Sequence, residues 1–266
     1  MERSAEVFPD RITSWADLAG LVEHFSYFNG HAWLFRGVPV GTHDLIPKIG
    51  REKIRAKKEK SGIWTRVPYR LEDERALFSM FIQQARAHLS ASPQSNLEWL
   101  AIAQHHGMPT RLLDWTDSLL VAAWFAVERG GGGQGDSAIW VARGIPSIPL
   151  DYAEDPFSIP DAKCYRPPHI SPRIAAQGSV FVLCPEPTKE LKPPFVRKVL
   201  IAPSVEFTIK KRLNACGVNR RQLFPDLEGL TQHLAWMYKH DWLAGYRPDS
   251  VSSTAPADSS PSETEE

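Results

Sequence analysis

The chain has 266 residues, with 31 lysines and arginines against 31 aspartates and glutamates, so its formal net charge is zero. This balance excludes a general attraction to nucleic acid or to an anionic membrane, while 9 tryptophans and 12 phenylalanines are enough for a sizeable core. The polar first residues and the shortness of the longest apolar run, Leu119 to Val127, argue against a signal peptide and a membrane span. We therefore expect a soluble, cytoplasmic protein with no membrane partner.

The N-terminal part of the chain predicts a helix, a strand and a basic segment. Apolar residues from Trp15 to Val22 have helical spacing, and Ser14 is placed to be the N-cap. His31 to Val38 predicts a short buried strand. The segment from Lys48 to Lys60 holds seven basic and two acidic residues, a net charge of +5. It can contact phosphates of a nucleic acid, although no aromatic residue interleaves its lysines, so we favour a solvated surface.

The middle of the chain predicts three helices. Apolar residues between Glu72 and Leu89 trace one helix face, and Leu97 to His106 forms a second helix that Gly107 ends. Leu119 to Glu128 is hydrophobic nearly all round and predicts a buried helix. The glycine run Gly130 to Gly133 lacks the lysine and hydroxyl residue of a phosphate-binding loop, so we interpret it as a flexible connection.

The C-terminal half predicts strands, two helices and a tail. Residues 144–172 are rich in proline and predict an extended excursion across the surface, and the residues from Pro248 onward predict a disordered tail. The expected fold is α/β (α+β), a single mixed domain over residues 1–247 with a small central sheet flanked by helices. The predicted strands are Ala138 to Ala142, Gln177 to Leu183 and Val196 to Ile201, and the predicted helices are Ser204 to Ala215 and Asp226 to Tyr238.

The segment from Gln104 to Thr116 concentrates polar and ionisable residues between two apolar helices. A polar stretch in that position must satisfy its hydrogen bonds internally or face a cleft. Asp114 is the carboxylate best placed there for electrostatic or general-base work. The alternative is a capped helix–turn–helix joint, in which Asp114 and Thr116 bond to the backbone and Arg111 pairs with a carboxylate.

Arg36 and a pair of histidines are further candidates. An arginine at the end of a buried strand is costly unless an anion or carboxylate meets its guanidinium, and Gly37 would let a ligand approach the backbone. His105 and His106 could serve as general bases or metal ligands, but adjacent helical residues point roughly 100° apart, so at most one faces a given site. The sequence has no HExxH or GxSxG pattern, and its three cysteines are far apart, so we predict no metal site and no serine nucleophile.

Five strings of residues make the chain similar to the FRG domain family, which is named for its Phe-Arg-Gly motif. The likeness runs from about residue 15 to residue 240, and its longest string is highly specific. The strings are Phe35 to Gly37, Leu45 to Pro47 with Arg51, Gln104 to Thr116, Gln177 to Phe181, and Leu223 to Leu227.

The chain also has a weaker, distant resemblance to ADP-ribosyltransferases of the Arg-Ser-Glu type. Arg36 and Gly37 resemble the first element of that pattern, and Thr110 or Thr116, each ahead of an apolar helix, resembles the second. Gln177 falls where the family has a glutamate. The resemblance implies that the arginine holds a pyrophosphate, that a threonine positions ribose or nicotinamide, and that Gln177 orients the ribose or the acceptor. Because glutamine is uncharged, Asp114 would have to supply the catalytic anion.

The leading hypothesis is a nucleotide-binding protein that consumes NAD, by ADP-ribosyl transfer or NAD hydrolysis, as a toxin or defence effector. NAD is then a substrate and not a tightly bound cofactor, and the macromolecular acceptor is unknown. One alternative is a non-catalytic module that recognises a nucleotide, nucleic acid or protein, and another is a hydrolase built on His106 and Asp114. The predicted catalytic residues are Asp114, Gln177 and His106, and the predicted ligand-binding residues are Arg36, Gly37, Thr110, Arg111 and Thr116.

Overall fold

The computed structural model describes residues 8–26, 33–51, 56–58, 60, 62, 64–89, 91–129, 135–149, 155–168, 172–240 and 242. The strands are β1 (Arg11–Ile12), β2 (Leu34–Val38), β3 (Ala56–Lys58), β4 (Trp64–Arg66), β5 (Leu112–Thr116), β6 (Ser137–Arg143), β7 (Lys163–Tyr165), β8 (Ser179–Leu183) and β9 (Phe195–Ile201). The helices are α1 (Trp15–Ser26), α2 (Leu71–Ala85), α3 (Asn96–His105), α4 (Leu119–Val127), α5 (Pro172–Ala176), α6 (Pro203–Ala215), α7 (Arg220–Leu223) and α8 (Leu227–Lys239).

One seven-stranded sheet organises the described part of the chain. Its order is β1-β9-β6-β2-β5-β8-β7, in which β1 runs parallel to β9 and the other neighbours are antiparallel. Strands β3 and β4 form a separate antiparallel pair. The mixed sheet with flanking helices confirms the predicted α/β (α+β) class. The proposed boundary at residue 247, the tail after it and the glycine run of residues 130–133 lie outside the described residues and stay predictions.

Several helix ends lie where local capping chemistry predicts them. The Ser14 hydroxyl accepts a hydrogen bond from the amide of Asp17, whose carboxylate accepts one from the amide of Ser14, so the two residues form a reciprocal cap. Ser118 caps α4 in the same position, and Gly107 follows α3 with a φ of 85°. Helix α6 differs from the prediction because Pro203 occupies its first turn and Ser204 is not the cap.

Strand β5 takes the place of the helix–turn–helix joint that was the alternative interpretation of this segment. Its sequence, Leu-Leu-Asp-Trp-Thr, is buried except at the central aspartate, and it pairs along its whole length with β8. The sequence did not predict this strand, because polar residues interrupt its hydrophobic pattern. A segment that was expected to connect two helices therefore lies in the middle of the sheet, between β2 and β8.

Helix α4 packs directly onto β2, and Gly37 makes this contact possible. A Cβ atom at this residue would lie 1.9 Å from the carbonyl oxygen of Ala122 and 2.6 Å from the amide nitrogen of Ala126. The close approach of the helix backbone therefore requires the glycine, while the predicted approach of a ligand at this residue stays a prediction. No helix in the described part of the chain is long and apolar enough to cross a membrane.

Candidate functional site

The central sheet splits between β2 and β5. These strands share one residue pair, Phe35 with Thr116, whereas β2 makes five pairs with β6 and β5 makes five with β8. The side chain of Arg36 bridges the strands beyond this last pair, because its Nη1 donates to the carbonyl oxygen of Asp114 at 2.5 Å. The side chain of Arg36 is 15% exposed. The guanidinium of Arg36, a nearly buried cation, thus lies where the two strands separate.

A cavity of about 280 Å³ lies at this split. Five of the predicted site residues line it together, although they come from three separate parts of the sequence. Strand β2, strand β5 and the turn before β8 position them. These residues are Arg36, Gly37, Asp114, Thr116 and Gln177.

The carboxylate of Asp114 is held by a short network. The side-chain nitrogen Nε2 of Gln104 donates to Asp114 Oδ2 at 3.0 Å, and Arg36 Nη1 lies 3.7 Å from the same oxygen. The hydroxyl of Thr110 donates to Gln104 Oε1 at 2.7 Å and accepts from the amide of Leu112 at 3.1 Å. Thr110 is 1% exposed and does not line the cavity. It fixes the amide that orients Asp114, whose side chain is 59% exposed.

Thr116 and Gln177 line the cavity but use their polar groups to hold neighbouring segments. The hydroxyl of Thr116 donates to the carbonyl of Gln177 at 2.8 Å and accepts from the amide of Ser118 at 3.1 Å. The side-chain nitrogen of Gln177 donates to the carbonyl of Leu223 at 2.9 Å. These bonds tie the end of β5 to the start of β8, and the start of β8 to α7.

Arg111 lies away from the cavity, in a buried ion pair. Its Nη2 and Nε meet the two carboxylate oxygens of Glu74 at 2.6 Å and 3.1 Å, and the hydroxyl of Tyr69 accepts from Nη2 at 3.1 Å. The two side chains are 1% and 3% exposed. The Nη1 of Arg111 is directed at the carbonyl oxygens of Pro156 and Pro185, at 3.4 Å and 3.5 Å, so each nitrogen of the guanidinium has an acceptor inside the protein. The role of Arg111 is therefore to join α2 to the chain ahead of β5.

The two adjacent histidines face different surfaces, as the helical geometry predicts. His106 lines an apolar groove with Leu77 and Met80 of α2, whereas His105 lines the cavity. Burial, reinforced by the positive charge of Arg173, lowers the pKa of His105 to about 4. The imidazole that faces the cavity is therefore neutral at pH 7.

Arg173 of α5 is a lining residue that the sequence did not indicate. Burial lowers its pKa, although the charges of Asp226 and Asp114 oppose this effect. Burial also lowers the pKa of Arg36, against the stabilising charge of Asp114. Guanidinium groups nevertheless remain charged in proteins. The cavity thus combines two cations and one carboxylate with apolar walls from Phe35, Phe125 and Phe181.

The arrangement favours an anionic ligand with an aromatic part. Two arginines against one aspartate leave an excess of positive charge, and the phenylalanine rings offer surfaces for a planar group. No group of three histidine, cysteine, aspartate or glutamate residues in the described ranges is placed to hold a metal ion.

A comparison with protein-family models gives a match. Residues 31–132 match the family model described as FRG domain. No curated protein and no solved structure matches the chain. The matched segment contains β2, α3, β5 and α4, and it therefore supplies Arg36, Asp114 and the network around them, while α5 and β8 lie beyond it. Residues 31–132 of this chain belong to the FRG domain family.

Proposed function

We propose that the cavity binds a phosphorylated nucleotide and that the protein consumes NAD there, by ADP-ribosyl transfer or by NAD hydrolysis. The observation that carries this proposal is the meeting of Arg36 and Asp114 in one cavity at the split of the sheet. A cation for phosphate and a carboxylate for a developing positive charge are the two groups that this chemistry requires.

Arg36 has hydrogen-bonding capacity left for a phosphate. Its Nη1 is occupied by the carbonyl of Asp114, but its other N–H groups meet no acceptor among the described residues. The guanidinium is also held in place, because it sits between two strands whose backbones are fixed by their outer neighbours. A fixed, poorly hydrated guanidinium binds phosphate oxygens with little loss of side-chain entropy.

The size of the cavity supports a nucleoside-sized ligand. At about 280 Å³ it lies just below the usual range of ligand pockets, roughly 300–1,000 Å³. The rings of Phe35, Phe125 and Phe181 would contact a nicotinamide or a base. We infer that one half of a dinucleotide enters the cavity and that the rest extends towards solvent.

The proposed reaction breaks the glycosidic bond between the ribose C1′ and the nicotinamide nitrogen. The bonding electrons leave with nicotinamide, and C1′ forms a bond to an oxygen of water or of an acceptor, which loses its proton to Asp114 or to solvent. The carboxylate of Asp114 stabilises the oxocarbenium-like transition state, and Gln104 keeps this carboxylate in position. Gln177 supplies no charge, since its amide is bonded to Leu223.

A second candidate function is a non-catalytic nucleotide-recognition module. Two observations favour it. Hydrogen bonds already occupy the side chains of Thr116 and Gln177, and Asp114 is the one carboxylate among the described lining residues. Nucleic-acid binding through the segment from Lys48 to Lys60 stays a prediction, because much of that segment lies outside the described residues. A hydrolase with His106 as its base is not proposed, since His106 faces the separate groove.

Incubation of the purified protein with NAD, followed by chromatographic measurement of free nicotinamide, tests the proposal. We expect release by the wild type, alone or with cell lysate as a source of acceptors, and its loss in Asp114→Asn. Asp117→Asn is the matched control, because Asp117 is an exposed carboxylate paired with Arg166 outside the cavity. Nucleotide binding without nicotinamide release would favour the recognition module. Growth inhibition on expression in bacteria, relieved by Asp114→Asn, would support the proposed toxin or defence role.

A further inference from the structure

We propose that Arg173 is a second phosphate-binding arm of the cavity, so that the site selects ligands with two linked phosphates over monophosphates. This inference rests on the proposed function, since it concerns the same cavity. It adds a residue that lies beyond the matched family segment, and it narrows the ligand class to nucleoside diphosphates and their esters.

Arg173 lines the same cavity as Arg36 but comes from a part of the chain that is distant in sequence. It lies on α5, a five-residue helix that precedes β8, and it is half-buried. Its guanidinium carbon lies 4.2 Å from the centre of the Phe224 ring, which is a cation–π contact. The charges of Asp226 and Asp114 also favour its charged form. The side chain is thus held in place without hydrogen bonds.

The guanidinium of Arg173 donates no hydrogen bond to any residue that the structure describes. Other arginines around the fold differ: Arg111 is bonded to Glu74 and Tyr69, Arg166 pairs with Asp117, and Arg220 pairs with Glu128. A half-buried guanidinium with unused donors is costly, because it has lost part of its hydration without gaining acceptors. The oxygens of a phosphate would supply these acceptors.

Phe224 is the positioning residue for this arm. Its ring contacts two cations, with the guanidinium carbons of Arg173 at 4.2 Å and Arg220 at 4.6 Å from the ring centre. It also packs against the ring of Phe125, which lines the cavity, at 6.2 Å between centres. The bond from Gln177 to the carbonyl of Leu223 ties the segment after α5 to the residue before Phe224. The C-terminal part of the fold therefore completes a cavity whose floor comes from the family segment.

Two arginines from different walls of the cavity match a ligand with two phosphoryl groups better than a ligand with one. Arg36 lies between β2 and β5, and Arg173 lies on the helix before β8, so the two guanidinium groups line the same cavity from different elements of the fold. A monophosphate would leave one of the two guanidinium groups without an acceptor. Loss of Arg173 should therefore weaken a diphosphate ligand more than a monophosphate.

Calorimetric titration with ADP-ribose, AMP and adenosine tests this inference on the full chain. For Arg173→Gln we expect ADP-ribose affinity to fall at least about tenfold, AMP affinity to fall by less than about threefold, and the melting temperature to stay near that of the wild type. Phe224→Leu keeps the charge of Arg173 but removes the aromatic ring that holds its guanidinium, so this variant should lose ADP-ribose affinity several-fold. Arg166→Gln is the matched control and should leave every affinity within about twofold of the wild type.

The outcomes separate this inference from the proposed function. If the wild type binds ADP-ribose and Arg173→Gln binds it equally well, Arg173 is not a ligand-binding arm, while the nucleotide site stands. Equal losses for AMP and ADP-ribose would overturn the preference for two phosphates. If the wild type binds no nucleotide at all, the proposed function fails, and the inference fails with it.

Discussion

The buried pair of Arg111 and Glu74 predicts the largest loss of stability from a single conservative substitution. Glu74→Gln keeps the size of the side chain but removes the charge that two N–H groups of Arg111 meet at 2.6 Å and 3.1 Å. Because both side chains are almost fully buried, at 1% and 3% exposure, water cannot replace the lost partner. Removing one member of such a pair costs about 3–5 kcal/mol of unfolding free energy, a large share of the ~5–15 kcal/mol that a domain has.

Urea denaturation followed by tryptophan fluorescence measures this effect. Asp117→Asn is the matched control, since it removes the charge from a pair whose members are 47% and 55% exposed, and we expect a loss below about 1 kcal/mol. The double variant Glu74→Leu with Arg111→Met should recover much of the loss, because two apolar side chains leave no unpaired charge. A Glu74→Gln protein within 1 kcal/mol of the wild type would refute the structural role assigned to Arg111.

Three further predictions concern packing, titration and capping. Gly37→Ala should lower the unfolding free energy by about 1–3 kcal/mol or more in urea titrations, because its Cβ would overlap the backbone of α4; an unchanged midpoint would contradict this packing. Burial lowers the pKa of His105 to about 4 in the fold, against about 6.5 in the unfolded chain. The unfolded chain therefore binds an additional proton between these pH values, and the stability from this group rises with pH across that window. His105→Gln should therefore show a shallower rise of stability than the wild type from pH 4 to 6.5 in urea titrations, and identical slopes would contradict the low pKa. Ser118→Ala removes the cap of α4 and should cost about 1 kcal/mol by thermal unfolding, whereas no change would show that the cap is dispensable.

The helices could be predicted from the sequence because their signals are local. Ser14 caps α1 and Gly107 ends α3 at the predicted positions. Strand β5 could not be predicted in this way, since Asp114 and Thr116 interrupt its apolar pattern. Its conformation depends on hydrogen bonds to β8, a strand that follows more than sixty residues later. Only the assembled sheet supplies that partner.

The candidate site could be predicted in part. The cost of an arginine in a buried strand drew attention to Arg36, and the structure brings it to Asp114. Arg111 was predicted to bind the ligand, with a carboxylate pair as the alternative; the structure has the pair, and the identity of Glu74 depends on how α2 packs. Arg173 carried no local signal, because its position follows from the contact with Phe224, which is distant in sequence. The choice between His105 and His106 required the orientation of α3.

Equilibrium binding of ADP-ribose to the wild type and to Arg36→Ala tests the central claim most directly. ADP-ribose carries the phosphates of NAD but lacks the bond that would be cleaved, so the titration measures recognition alone. We predict that Arg36→Ala keeps the wild-type circular dichroism spectrum and loses at least about 2 kcal/mol of binding free energy, roughly a thirtyfold increase in Kd. Undiminished affinity in the folded variant would contradict the assignment of the cavity as a phosphate-binding site.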